Sequence, residues 1–535
     1  MTDKKRNLFN FMIIIVLSGF VFGVDAGIIS GTVKFIKAEF HLTDLQVGTV
    51  VSAPAFGAII ALLFSGTLVD KIGRKKVMLV IAFLYLVSAI ASTFANSYPV
   101  LVVARMLGGM AFCCLSIASM YIGELAPSKE RGKYVASNQV MMGIGFFVAY
   151  LINYACVLLL DDNSLLFSTE NVWRTMFASE IPVVILWTLA LFKLPESPRW
   201  LMKKGHKQEA TDIIAMVTPD HEVKEVVQEI EENLLITESN VPLKTQFQAL
   251  LSGRMRKILV IGVGLALVQS FSGMGAVSYY SPMIFEQVGL GENNAFLQTT
   301  LLGLISIIFA LIAMRLVDKA GRRNLLLVGL LTICLSHLTI WHGFSSAEYH
   351  ISEQGIAKLE GKIDTAPLGT LLNSEFKTDR DFKDAIRPLY SDSEIALSEG
   401  TLINAFIKLN PYAIVTAIFV FKAAFFFSIG PIMWVVFSEV TPNLVRSVAI
   451  PSFGLIASLA AFFVQRFFPW QLTNFGAANT FLSYAICSGL GILLVWLVLP
   501  ETKNKSIEQI ESLLIKKGAD EEAEAAPAAV EAKQY

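Results

Sequence analysis

Charge is scarce in this chain. Only 16% of its 535 residues are Asp, Glu, Lys or Arg, while 54% are hydrophobic. Too little polar surface remains to coat a water-soluble body of this size, which excludes a soluble multidomain protein. An excess of one sign is missing as well, since 43 basic and 44 acidic residues leave a net charge of -1. A duplex binder needs a basic face, so nucleic acid is not an expected partner. The few cysteines, Cys113, Cys114, Cys156, Cys334 and Cys487, all fall in apolar stretches. That placement argues against a disulfide framework or a thiolate metal site. The six histidines are scattered without ligand spacing, and the sequence carries no phosphate loop or paired catalytic constellation. Neither a metal, nor a cofactor, nor enzymatic activity is expected.

What the chain has in abundance is long apolar runs. A bilayer core about 30 Å thick needs roughly 20 helical residues at about 1.5 Å each. Runs of that length fall at 8–32, 46–69, 77–95, 99–122, 134–160, 173–194, 257–281, 295–317, 324–346, 411–438, 444–468 and 476–499. Alternating ten-residue strands of the barrel kind do not occur, so the chain is predicted to be an all-α membrane protein with twelve transmembrane helices. The first run follows Lys4, Lys5 and Arg6, but it lacks an A-x-A-like cleavage site and contains Asp25. It reads as a span and not as a signal peptide.

Loop charges set the expected orientation. Lys71, Arg74, Lys75 and Lys76, then Lys129, Arg131 and Lys133, then Lys319, Arg322 and Arg323 lie in alternate loops, whereas the loops holding Asp161, Glu292 and Pro469 carry no Lys or Arg. The basic loops and both termini are therefore expected in the cytoplasm. Residues 195–256 form a cytoplasmic helical linker between an N-terminal bundle (1–194) and a C-terminal one (257–499). Residues 347–409 are an extracytoplasmic insertion in the second bundle. The tail, 500–535, turns rich in Ala and Glu and reads as largely disordered.

Three motifs occur twice. GTLVDKIGRKK (Gly66 to Lys76) returns as MRLVDKAGRRN (Met314 to Asn324), GELAPSKERG (Gly123 to Gly132) as SEVTPNLVRS (Ser438 to Ser447), and PESPRW (Pro195 to Trp200) as PETKNK (Pro500 to Lys505). One six-helix unit has been duplicated, which places a binding site between the halves near the membrane midplane. The charged residues of these loops suggest a gate on the cytoplasmic face. The expected pairs are Asp70 with Arg74, Glu124 with Arg131, Glu196 with Arg199, Asp318 with Arg322, and Glu439 with Arg446.

With these motifs the chain resembles the major facilitator superfamily. E-x-A-P-x-x-x-R-G, P-E-S-P-R and P-E-T-K together resemble its sugar porter family over nearly all of residues 1–510. The stretch from Trp173 to Met202 is particularly similar to bacterial xylose/proton symporters. The resemblance implies two pseudo-symmetric six-helix bundles and alternating access.

Ionisable groups inside the membrane are costly, about 2.5 to 3.5 kcal/mol for a central Asp on insertion scales, and so are functional candidates. Asp25, Arg105 and Glu180 fall at similar depths on the first, fourth and sixth spans and can meet. An Asp beside Arg is held ionised until the two are pulled apart, which makes a proton switch. The resemblance supports it, because proton-coupled sugar porters carry Asp where this chain has Asp25 and facilitative glucose transporters typically carry Asn. Lys422, in an apolar run of the tenth span, matches no motif and is expected to snorkel outward.

By resemblance, the solute site would comprise Phe22, Gln139, Gln269, Ser270, Gly275, Tyr279 and Trp434. A sugar needs amides for its hydroxyls and an aromatic face for its C–H surface. Departures from the family pattern are marked: Ser270 and Gly275 replace a Gln and an Asn, Ser306 and Ala457 stand where amides are usual, and Phe146 stands where xylose symporters have a second Gln. They suggest a roomier, less polar cleft. The expected function is proton-coupled symport of a sugar or polyol in the plasma membrane, by a functional monomer surrounded by lipid, with the proton as coupling ion. The alternatives are a facilitative uniporter and a transporter-like sugar sensor.

Overall fold

The computed structural model describes residues 3–237, 242–360, 363–442, 444–503, 505 and 507–514. Eleven of its helices are long and apolar enough to cross a membrane. We number the spans α1 (Asp3–Glu39), α2 (Asp44–Ile72), α3 (Arg74–Thr93), α4 (Tyr98–Leu125), α5 (Glu130–Leu158), α6 (Val172–Leu191), α7 (Gly253–Tyr279), α8 (Glu292–Leu316), α9 (Arg322–Ser345) and α10 (Pro411–Val440). The eleventh apolar helix, Arg446–Val498, is far too long for one crossing and turns at Gly476, where φ is 76°. It supplies two spans, α11 (446–475) and α12 (477–498), and the total is twelve. The two ends of the described chain, Asp3 and Leu514, lie on one face of the bundle, called the terminal face below. The 347–409 insertion lies on the other.

Small residues set the tightest helix contact. Gly19, Gly23, Gly27 and Gly31 recur every fourth residue along α1 and press against Asn138, Met142, Ala149 and Asn153 of α5, where an added Cβ would collide with each. Without water between helices to drive association, such stripes allow the close backbone approach that holds membrane helices together. The Asn153 amide donates to the Ile28 carbonyl at 3.1 Å across this contact.

Several spans are interrupted where they carry candidate site residues. A 3-10 turn at Ala111–Cys113 breaks α4, α6 shifts at Ser179, α7 at Gly273 (φ 83°) and α10 at Ser428 (φ -128°, ψ -98°). A carbonyl freed by a break inside the membrane needs a partner, because no water is present to supply one. The ring of buried His337, on α9, meets the Ser272 carbonyl with Nε2 at 2.9 Å, so Nε2 carries the proton and donates.

The described parts of the segments outside the spans are folded. The linker holds helices at Pro198–Lys203, Lys207–Val217, Val223–Thr237 and Leu243–Leu250. A helix at Ile507–Leu514 buries Ile510 and Leu514, while the Ala- and Glu-rich stretch on which the expectation of disorder rests lies further on. Residues 515–535 lie outside the described part. The insertion is a folded lobe with its own core of Tyr349, Leu368, Phe382, Leu402 and Phe406. It adds a little sheet to the otherwise helical chain. Three short strands, β1 (Glu348–His350), β2 (Glu375–Phe376) and β3 (Ile407–Lys408), pair antiparallel in the order β2-β1-β3, with Tyr349 opposite both Phe376 and Ile407. Outside a bilayer a sheet this small is permitted, because its open edges meet water.

Candidate transport site

On the terminal face the duplicated motifs build the same cluster twice, though not with the expected partners. Arg74 pairs with Glu124 at 2.7 Å, and Arg322 pairs with Glu439 at 3.0 Å. Each joins the basic loop of its half to the acidic end of the fourth helix of that half. Arg131 and Arg446, expected to bind those glutamates, donate instead to the Ala126 and Thr441 carbonyls, five residues before each of them. A helix end five residues away is nearer than the glutamate, and its last carbonyls need donors. Glu196, expected to pair with Arg199, accepts from the backbone N–H groups of Arg74 (2.8 Å), Lys75 (3.1 Å) and Ser197 (2.8 Å). Glu501 does the same for Arg322 (3.0 Å), Thr502 (2.9 Å) and Lys503 (2.9 Å). These carboxylates cap the N-termini of α3 and α9. Gly73 and Gly321 precede those helices at φ 93° and 86°, and a Cβ at either would strike the capping carboxylate. Asp70 is exposed and holds Arg74 only loosely, at 3.9 Å. The Asp318 side chain lies outside the described part. Among the described residues, every ion pair of these clusters stays within one half.

The opposite face is bridged across the halves. Lys34 of α1 meets Glu292 at 2.8 Å and Glu286 at 3.6 Å. Deeper, the Tyr150 hydroxyl of α5 donates to the Ser278 carbonyl of α7 at 2.7 Å. The lobe adds to this closure. Its helix Asp392–Phe406 packs against α1, and a crevice between them is lined by Lys34, Lys37, Glu286 and Glu399. The halves are thus joined on the insertion face and unlinked at their terminal-face clusters.

Inside the N-terminal half, Asp25, Arg105 and Glu180 meet as expected from their depths. All three are sealed from solvent, at 0%, 1% and 0% exposure. Arg105 Nη1 donates to Asp25 Oδ1 at 2.6 Å, and Nη2 reaches the Asp25 carbonyl at 3.4 Å. Glu180 opens the second segment of α6, close enough to Asp25 and Arg105 for their charges to interact. The set is incompletely satisfied: Asp25 Oδ2, Arg105 Nε and both Glu180 oxygens have no partner among the described residues. The Phe177 ring, 5.5 Å from the guanidinium, closes one side.

The residues expected to hold solute are more dispersed. Gln139 is exposed, Gln269 and Phe22 are half-buried, and Trp434 is 46% exposed beside Gly454. Tyr279 is half-buried and faces Phe146 of α5 at 6.4 Å, so that aromatic pair spans the two halves. Among the described residues no hydrogen bond or ring contact links Gln139, Gln269 and Trp434. Ser270 differs from expectation, because its hydroxyl is buried and donates to the Ala457 carbonyl at 2.9 Å, a helix-packing bond. Gly275 faces the side chain of Gln465 on α11.

Lys422 does not snorkel. It is 2% exposed, and Nζ donates to Ser278 Oγ at 2.8 Å. Its helix places it beside the broken α7, where a hydroxyl is a nearer partner than the membrane surface. Lys34, Tyr150, His337 and Gln465 are further polar residues of the spans that motif reading missed. Each is a polar group inside or at the end of an apolar run, which was the signal available.

The profile of the sugar (and other) transporter family matches residues 11–350 and 395–514, and the chain belongs to that family. The unmatched gap, 351–394, falls inside the lobe. The arabinose-proton symporter of Bacillus subtilis is 30% identical over 94% of this chain and 93% of its own. The D-xylose-proton symporter of Escherichia coli K12 is 28% identical over 95% of each chain. The solved inward-open conformation of the xylose transporter XylE from E. coli superposes with a TM-score of 0.72 at 26% identity, covering 95% of this chain and 99% of that one. The family is one of transporters, not of enzymes.

Proposed function

We propose that this protein is a sugar/proton symporter of the plasma membrane, working as a monomer by alternating access with both termini in the cytoplasm and the lobe outside. The observation that carries the proposal is the sealed set of Asp25, Arg105 and Glu180. It holds two carboxyl groups against one cation, so it is electrically neutral with a single proton. That proton has two resting places, Asp25 and Glu180. With Asp25 ionised, Arg105 is bound to it. When Asp25 takes the proton, Arg105 is released and Glu180 is left to balance it. Tyr279 lies within electrostatic range of Asp25 and Arg105, so a solute resting against Tyr279 is linked to the state of the pair. Gln139, Gln269, Tyr279, Trp434 and Phe22 serve as the solute-contacting groups. The bonds bridging the insertion face, together with terminal-face clusters confined to each half, suit a conformation open to the cytoplasm.

The relatives named above carry arabinose and xylose in their names, and these sugars are the natural first probes. The test is uptake by purified protein in liposomes: addition of D-xylose, L-arabinose, D-galactose or D-glucose should alkalinise the outer medium as sugar and proton enter together. Sugar flux without any pH change, for each sugar transported, would replace symport by facilitated diffusion.

A further inference from the structure

We propose that Gln465, on α11, supplies to the transported sugar the amide that α7 lacks at Gly275. The inference rests on the solute site being where Gln269, Tyr279 and Trp434 lie, and it adds a specificity-determining residue to that site.

The starting point is an empty position. Within the α7 motif from Gln269 to Tyr280, position 275 carries no side chain, and Ser270 spends its hydroxyl on the Ala457 carbonyl. A site built for hydroxyl groups would be short of donors and acceptors at this depth. The space is filled from across the helix interface. A Cβ built on Gly275 would come within 3.3 Å of Gln465 Cγ and 3.4 Å of its Nε2. The carboxamide of Gln465 therefore stands where a side chain from position 275 would begin.

Three further observations point the amide at a ligand and not at the protein. First, Gln465 is only 6% exposed, and its carboxamide makes no hydrogen bond with any described residue, yet its amide atoms are not among those sealed without a partner and so stay accessible to a ligand. Second, its backbone is fixed. The Tyr280 hydroxyl donates to the Gln465 carbonyl at 2.8 Å, and the Tyr280 ring packs on Phe468 at 5.1 Å. The side chain is thus delivered from an anchored turn. Third, Ala457, where an amide would have been sought on this helix, lies eight residues earlier, about 12 Å away at the helical rise. Its carbonyl is taken by Ser270, one residue from Gln269. The amide of α11 is displaced toward the insertion face relative to that position. Solute hydroxyls at the outer end of the site meet Gln465, and those at the inner end meet Gln269.

The experiment uses full-length protein in nanodiscs and whichever radiolabelled sugar of the four above binds tightest. Gln465→Ala should weaken binding about ten- to a hundred-fold. One singly deoxygenated analogue of that sugar, lacking the hydroxyl that Gln465 contacts, should bind parent and variant equally. A structural defect would lower the binding of all analogues alike and would overturn the proposal. Gly275→Asn/Gln465→Ala, which returns the amide to α7, should recover binding to within about ten-fold of the parent. Gln269→Ala separates the two readings. If it weakens binding while Gln465→Ala does not, Gln465 is not a ligand group and the site stands. If neither variant changes binding, both the site and Gln465 are wrong.

Discussion

The two halves of this protein agree at the terminal face and disagree in the membrane interior. At the surface, Arg74, Glu124, Glu196 and Gly73 have counterparts in Arg322, Glu439, Glu501 and Gly321, although Glu196 caps two N–H groups of its helix and Glu501 one. In the interior, the N-terminal half holds an under-satisfied set of one cation and two carboxyl groups. The C-terminal half instead holds Lys422 and His337, each bonded to the broken α7. Duplication preserved the charged frame at the terminal face of each half. The buried chemistry diverged, with ionic groups poised for change on one side and polar groups committed to holding a helix on the other.

The sharpest way to break this contrast is Asp25→Asn. It keeps shape and hydrogen bonding and removes the titratable group, so uphill accumulation under a pH gradient should vanish while equilibrium exchange of sugar persists. Retained accumulation would remove Asp25 from coupling, and loss of exchange as well would make it a structural residue. Next in size, the matched frame predicts matched costs. Glu196→Ala removes the acceptor of the Arg74, Lys75 and Ser197 N–H groups and Glu501→Ala that of the Arg322, Thr502 and Lys503 N–H groups, and each should lower stability by about 1–3 kcal/mol, read as similar drops in melting temperature. A drop confined to one half would show that the repeat is no longer equivalent in energy.

A smaller effect is expected for Lys422→Met. Replacing a buried cation by an apolar side chain of similar length often leaves stability unchanged or raises it. The melting temperature should therefore hold, in contrast to Arg105→Met, which strands Asp25. The smallest response concerns acid. Burial alone would raise the Glu399 carboxyl, but Lys383, at 2.9 Å, and Lys37 outweigh it and hold the group at about 2. A depressed carboxyl stabilises above its ordinary range, and that contribution fades only as pH falls through the folded value. Hydrogen exchange of residues 392–406, corrected for intrinsic rate, should then be unchanged between pH 7 and pH 5. Loosening in that interval would place the anchor of the lobe elsewhere.

The spans, the repeat and the meeting of Asp25, Arg105 and Glu180 were legible because each follows from length, spacing or depth along a single axis. The partners of the terminal-face charges were not. Glu124 and Arg131 are close in sequence, but a helix break points Arg131 back at its own chain end and leaves Glu124 to Arg74, fifty residues away. Lys422 was misjudged for a related reason. Its burial depends on where α7 is broken, and that break comes from Gly273 at a positive φ, which apolar periodicity does not reveal. Gln465 escaped notice because its meaning lies in a glycine on another helix. The lobe read only as an insertion, since its core residues are spaced over elements too short to show a period.

The lobe has a practical consequence for control of the carrier. It is attached at both ends to the C-terminal half, through α9 and α10, yet it lies against α1 of the other half beside Lys34 and Lys37. Any movement that parts the halves on that face must peel the lobe from α1. A nanobody or other rigid binder that grips both surfaces at this seam would act as a wedge-proof clasp, arresting transport without entering the solute pathway or competing with sugar.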